Sequence, residues 1–99
     1  MSTMHLIIDG MLSGTGIRDG DQGGYLDASD LGISPSLSAR ISEWLGRYEN
    51  AHFFQFEDKA ENQLLDSQGL EIARLLKSEL PNVRITYFSN AKLKELPIN

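Results

Sequence analysis

Gly69-Leu70-Glu71-Ile72-Ala73-Arg74-Leu75-Leu76-Lys77-Ser78-Glu79-Leu80-Pro81-Asn82-Val83-Arg84-Ile85-Thr86-Tyr87-Phe88 changes its hydrophobic period partway along. Ile72, Ala73, Leu76 and Leu80 recur at helical spacing with Leu75 alongside, the apolar stripe of a helix packed on a core. Pro81 ends that helix, because it has no amide hydrogen and clashes with the preceding turn. From Val83 the pattern alternates, with Val83, Ile85 and Tyr87 separated by Arg84 and Thr86, so residues 83–88 read as a strand. A helix that feeds a strand implies helices layered on a sheet. The same reading caps the helix with Asp66 or Ser67. It puts Gly69 near the first turn, where a missing side chain lets another backbone approach closely.

Working outward, His5 to Met11 is an apolar run centred on Ile7 and Ile8, which suits a strand buried on both faces. Ser34-Pro35 is a helix start, with Ser34 as N-cap and Pro35 in the first turn. Leu37, Ile41, Trp44, Leu45 and Tyr48 continue it as one stripe, and the helix is expected to stop near Asn50. Arg40, Glu43 and Arg47 fall on its wet side, with Glu43 and Arg47 spaced to pair. His52-Phe53-Phe54-Gln55-Phe56 reads as a strand on its aromatic content, and Glu57 to Gln63 as polar loop or frayed turn. Ser13 to Gly24 carries five glycines in twelve residues, too many for a helix. Tyr25-Leu26-Asp27 then returns briefly to a strand, with Gly20 to Gly24 as the tip of a wide hairpin. The tail from Lys92 reads as loose or a short helical turn. The expectation is α/β (α+β): one domain over residues 1–99, with a small sheet of about three to four strands packed against two main helices.

The chain has 99 residues, so its core is thin and a deep substrate cleft is hard to build. Cysteine is absent, which excludes disulfides and thiolate metal sites and favours a reducing compartment. The N-terminus has no basic region, and its apolar run is broken at Asp9, so it does not read as a signal peptide. No apolar stretch approaches the roughly 20 residues of a membrane span. The expected location is the cytoplasm. Fourteen acidic residues face nine basic ones, for a net charge of −5. Residues 1–39 hold five Asp against the single Arg18, whereas residues 40–99 are nearly balanced. Such a surface repels phosphate backbones, which argues against direct nucleic-acid binding. It attracts a basic protein and speeds the encounter.

Four constellations bear on chemistry. Asp19, Asp21, Asp27 and Asp30 fall at positions 1, 3, 9 and 12 of a calcium-loop frame with Gly24 at position 6. Gly23 at position 5 offers no side-chain oxygen, and Asp30 is short for the bidentate last ligand, so Asp side chains capping a turn are the simpler reading and no metal is expected. Gly14-Thr15-Gly16 follows a strand as phosphate loops do, but no third glycine, lysine or helix continues it. His5 and His52 are the only histidines. Either could act with Asp9 in acid–base chemistry, yet no nucleophile stands in an elbow motif, so neither catalytic residues nor a cofactor are expected. The fourth reading is a binding face. Asp19, Asp21, Tyr25, Asp27 and Asp30 form one acidic patch with an aromatic in it, and Glu57, Asp58 and Glu61 form a second with Asp66 nearby, relieved only by Lys59. Carboxylates around an aromatic anchor suit an Arg- and Lys-rich partner. Tyr25 reads equally well as that anchor or as core.

Two stretches carry a resemblance: Tyr25-Leu26-Asp27-Ala28-Ser29-Asp30-Leu31-Gly32-Ile33-Ser34-Pro35-Ser36-Leu37, and Gly69 to Pro81 followed by Val83 to Phe88. Together they resemble small bacterial immunity proteins that partner polymorphic toxins, including those of contact-dependent growth inhibition systems. The resemblance implies a cytoplasmic, non-enzymatic inhibitor that binds one cognate toxin domain, often a nuclease, and blocks its active site or substrate surface. It carries over no site residues, because such proteins share no fixed binding residues. Oligomeric state is open, since an unpaired strand edge at Phe53 to Phe56 would let two copies pair.

Overall fold

Leu6 and Ile8 project from one side of strand β1 (His5–Asp9) and are fully buried, which makes this strand the floor of the core. The computed structural model describes residues 4–11, 14–96 and 98. Strand β1 pairs in parallel with β3 (Arg84–Ser89), setting Leu6 beside Ile85 and Ile8 beside Tyr87. Two short antiparallel strands flank them, β2 (Ile17–Asp19) on β1 and β4 (Lys94–Leu96) on β3. The order in the four-stranded sheet is β2-β1-β3-β4. Helices α2 (Pro35–Phe53) and α3 (Lys59–Glu79) supply the apolar layer over the Leu6, Ile8, Ile85 and Tyr87 side. The expected α+β arrangement of two main helices on a small sheet is therefore what the chain adopts.

The helices run antiparallel. Ser34 at the start of α2 bonds Glu79 at the end of α3, Arg40 pairs with Glu71, and Arg47 pairs with Glu61. Trp44 is buried between them, its indole N–H donating to the Leu65 carbonyl at 2.9 Å. Ser34 caps α2 as read from the sequence, accepting the Leu37 N–H, with Pro35 in the first turn. A four-residue helix α1 (Ala28–Leu31), closed by Gly32 at φ 68°, precedes it and had no sequence signal of its own.

Four expectations need correction. His52 to Phe56 is no strand: α2 runs on through Phe53, because Ala51 extends the buried Trp44 and Tyr48 stripe at helical spacing. Packing of that stripe overrides the strand preference of the aromatics. Helix α3 begins at Lys59 and not at Asp66 or Ser67, so Glu57 to Gln63 is mostly helix. Its cap is Asp58, whose carboxylate accepts the Glu61 N–H. Gly69 therefore lies in the middle of α3. The return leg at Tyr25 shrinks to one bridge with Arg18, while β2 forms inside the glycine-rich segment, with Gly16 at φ 92° set against Ile41. The start of that loop at Ser13 lies outside the described residues. Part of the tail is strand, since β4 follows a turn with Leu93 at φ 55°.

A polar chain threads this core at the carboxyl ends of β1 and β3. Asp66 is buried, and a buried carboxylate needs donors to offset its lost hydration. Tyr87 donates to it at 2.6 Å, Ser89 donates at 3.0 Å, and Lys92 stands 3.8 Å away. With the Tyr87 proton committed there, Tyr48 donates to the Tyr87 oxygen at 3.1 Å and accepts the Asn90 N–H at 3.0 Å. Asn90 then donates through its side chain to the buried Asp9 at 2.9 Å, and Arg18 closes the chain on Asp9 at 3.1 Å. Both tyrosine rings press on glycines, Tyr48 on Gly10 and Tyr87 on Gly69.

The glycines give opposite predictions. In a helix interior Gly→Ala ordinarily stabilises by about 0.5–1 kcal/mol. Gly46 in α2 has open space where a β-carbon would stand, so Gly46→Ala should raise the unfolding free energy by that amount, read as a higher urea midpoint. Gly69→Ala drives a β-carbon into the Tyr87 ring and should instead cost roughly 1–3 kcal/mol. Burial raises the Tyr48 and Tyr87 hydroxyls above their ordinary value of 10. Below pH 10 both remain protonated, folded or unfolded, and their contribution is complete. As pH climbs past 10 the unfolded chain releases protons that the folded chain retains, so stability is lost. Denaturant midpoints should hold flat to about pH 10 and then fall, with a shallower fall in Tyr48→Phe/Tyr87→Phe.

Candidate partner-binding surface

The turn from α2 to α3 builds a recess. Helix α2 ends where Phe54, Gln55 and Phe56 reverse the chain, with Gln55 and Phe56 at φ 56° and 57°. Left-handed backbone is unfavourable for residues with a side chain, so the turn needs fixing points. The Phe56 N–H donates to the Ala51 carbonyl at 2.9 Å, and Asn62 Nδ2 donates to the Phe56 carbonyl at 2.8 Å. The Phe56 ring packs edge-on against His52 and Tyr48. Asn62 Oδ1, by contrast, is enclosed without a partner.

The resulting groove has a volume of about 720 Å³ and is bounded by Glu43, Arg47, Phe54, Glu57, Asp58 and Glu61, with Gly46, Asn50, Ala51, Phe56 and Asn62 completing its walls. Four carboxylates thus face one guanidinium. Arg47 is already committed, donating to Glu61 at 2.6 Å and to Gln68 at 3.0 Å. It reaches across to α3 and does not make the expected pair with Glu43. Asp58 is half committed as the α3 cap, while Glu43 and Glu57 have no basic partner among the described residues. Phe53 and Phe54 stand at the rim, 79% and 54% exposed, with ring centroids 5.1 Å apart in an edge-to-face pair.

The other predicted patch is built differently. Asp19 accepts the backbone N–H groups of Asp21 and Gln22, and Asp21 accepts that of His5. These two carboxylates hold the hairpin tip. Asp27 at the N-cap position of α1 and Asp30 within it are exposed, while Ala28 and Leu31 pack half-buried against the core. Tyr25 is half-buried against Gly14, with its hydroxyl 3.5 Å from Asp9. Burial, then the Asp9 charge, raises its titration. Asp21 meets the start of β1, whereas His52 beside the groove meets Gly10 at its end, 3.0 Å from that carbonyl. Asp21 thus stands at the start of β1 and Tyr25 near its end, and of the predicted residues only Glu57, Asp58 and Glu61 share the recess.

The remaining chemical readings resolve simply. His5 Nε2 meets the Thr86 hydroxyl at 3.0 Å, and neither imidazole bonds Asp9. Thr15 ties down the Leu26 carbonyl, and strand β2 follows it where a phosphate loop would open a helix. Among the described residues no three His, Asp or Glu gather as metal ligands, and no helix is long and apolar enough to cross a membrane. The sequence reading passed over Glu43, Arg47 and the Phe53–Phe54 pair as parts of a site. The helix spacing of Glu43 and Arg47 placed them on one face, but the aromatic pair was assigned to a strand.

Fold and surface together define a small α+β protein with a polar thread through its apolar core and an acid-rimmed aromatic recess. Residues 3–90 match the family described as Serratia CdiI immunity protein-like, and the chain belongs to that family, the immunity proteins of contact-dependent growth inhibition. Both stretches that carried the resemblance lie inside the matched span. Neither curated proteins nor solved structures give a match.

Asp58 and Glu57 are neighbours with different duties. Asp58→Ala should cost about 1 kcal/mol through the lost cap and speed hydrogen exchange in the first turn of α3. Glu57→Ala should stay within about 0.5 kcal/mol of the parent.

Proposed function

We propose that this immunity protein binds and neutralises one cognate toxin domain in the bacterial cytoplasm through electrostatic attraction to a basic toxin surface, as a nuclease presents. The observation that carries this reading is how the charges are distributed. The buried carboxylates, Asp9 and Asp66, are compensated internally by Arg18, Lys92, Asn90 and hydroxyl groups. The surplus negative charge behind the net −5 is left on the surface, where Asp27, Asp30, Glu43 and Glu57 have no basic partner among the described residues. A nuclease must hold nucleic acid on cationic side chains. An inhibitor with surface carboxylates competes for those same groups, with no chemistry of its own required.

The natural probe is the cognate toxin domain that this reading requires, to be sought as the C-terminal end of a large secreted protein in the neighbouring reading frame. Stopped-flow mixing should show an association rate constant that falls about tenfold or more between low and physiological salt, because screening weakens long-range steering. A rate constant indifferent to salt would remove the electrostatic reading, and absence of binding would remove the cognate pairing itself.

A further inference from the structure

We propose that the groove at the α2–α3 turn is the seat of the toxin contact, and that it receives an arginine- or lysine-bearing segment whose apolar flank lies on Phe54 and Phe53. The proposal rests on the toxin-binding reading above and names the face it uses. Charge complementarity fixes the occupant: four carboxylates line the groove and its only guanidinium is spent on Glu61 and Gln68. A cation entering it meets Glu43 and Glu57, neither of which has a basic partner among the described residues.

Independent observations converge on the same place. Phe53 is the most exposed of the large apolar side chains, and Phe54 beside it is more than half exposed. Exposed aromatics at the edge of a cleft mark an interaction site, and aromatic and arginine anchors dominate protein interfaces. A volume of about 720 Å³ exceeds one arginine side chain, so neighbouring residues of the segment enter with it. The walls are set beforehand, since the turn is pinned through Asn62, Ala51 and the packed Phe56 ring. A pre-formed cleft does not have to be ordered on binding. The Asp19 to Asp30 face offers less, because Asp19 and Asp21 hold backbone N–H groups.

The test uses the full chain and that cognate toxin domain. Glu43→Lys/Glu57→Lys changes no cap and no ion pair, and it should raise Kd roughly 100-fold. Phe54→Ala should raise it about tenfold. Asp27→Lys/Asp30→Lys, outside the lining of the groove, should change it less than about threefold at physiological salt. Backbone amide shifts of the unmodified ¹⁵N-labelled chain on adding toxin should concentrate between Glu43 and Asn62, a readout that needs no variant to fold. If the parent binds but the groove variants bind equally well, or the shifts gather at Asp19 to Asp30, the groove is not the seat while the toxin-binding reading survives. If the parent does not bind, both fall. Sedimentation showing that the free chain self-associates through Phe53 and Phe54 would assign the groove to a second copy and overturn the proposal.

Discussion

A carboxylate buried among apolar side chains is tolerable only with donors arranged around it, and Asp66 sets that condition for the molecule. Its donors come from β3, as the Tyr87 and Ser89 hydroxyls. Meeting its need therefore fixes how α3 lies on the sheet. Tyr87 in turn orients Tyr48 on α2, and Asn90 carries the chain of bonds to Asp9 on β1. Polar networks in a low-dielectric interior favour one arrangement, because partial satisfaction is costly. The apolar layer of Leu6, Ile8, Trp44, Ile72 and Leu76 supplies burial, while the polar thread selects the register in which that burial occurs. With α3 held this way, the turn before it has a fixed place, and the recess follows.

How much of this was legible depends on how local the signal is. The start of α2 is written in two adjacent residues, Ser34 and Pro35, and the change of period across Pro81 gives the end of α3 and the start of β3. Those readings needed no partner. The opposite end of α3 was misread because Asp66 looks like a cap. A buried acid within a helix has no local signature, since what makes it acceptable lies on β3. The cap actually used, Asp58 with Glu61 three residues on, was present in the sequence but sat in a stretch that reads as polar loop. His52 to Phe56 failed for a related reason: aromatic residues favour strands on average, and only the continuing stripe through Tyr48 and Ala51 keeps them helical. Strands β2 and β4 are three residues each, too short to show a period.

The candidate surface was legible in composition and not in geometry. Counting carboxylates locates negative charge along the chain but cannot say which groups the fold consumes. Folding takes Asp9 and Asp66 into the core, sets Asp19 and Asp21 to holding a hairpin, makes Asp58 a helix cap and pairs Glu61 with Arg47. Glu79 is spent at the far end of the helix pair, where the Ser34 hydroxyl and N–H hold it below the usual carboxylate range. What is left over is a smaller set than the fourteen carboxylates of the sequence, and Glu43 and Glu57 of that set stand at the recess. Glu43 and Arg47 join the recess only because two helices cross there.

The rings of Tyr48 and Tyr87 fill the space that side chains at Gly10 and Gly69 would occupy. Each tyrosine and its glycine are consequently constrained as a unit: enlarging the glycine demands a smaller ring, and losing the ring's hydroxyl strands its bonded neighbours. The helix exteriors and the reversal between them carry no such pairing, so side chains there can change without a matching change inside. The scaffold thus leaves its outer faces open to substitution while the interior stays put.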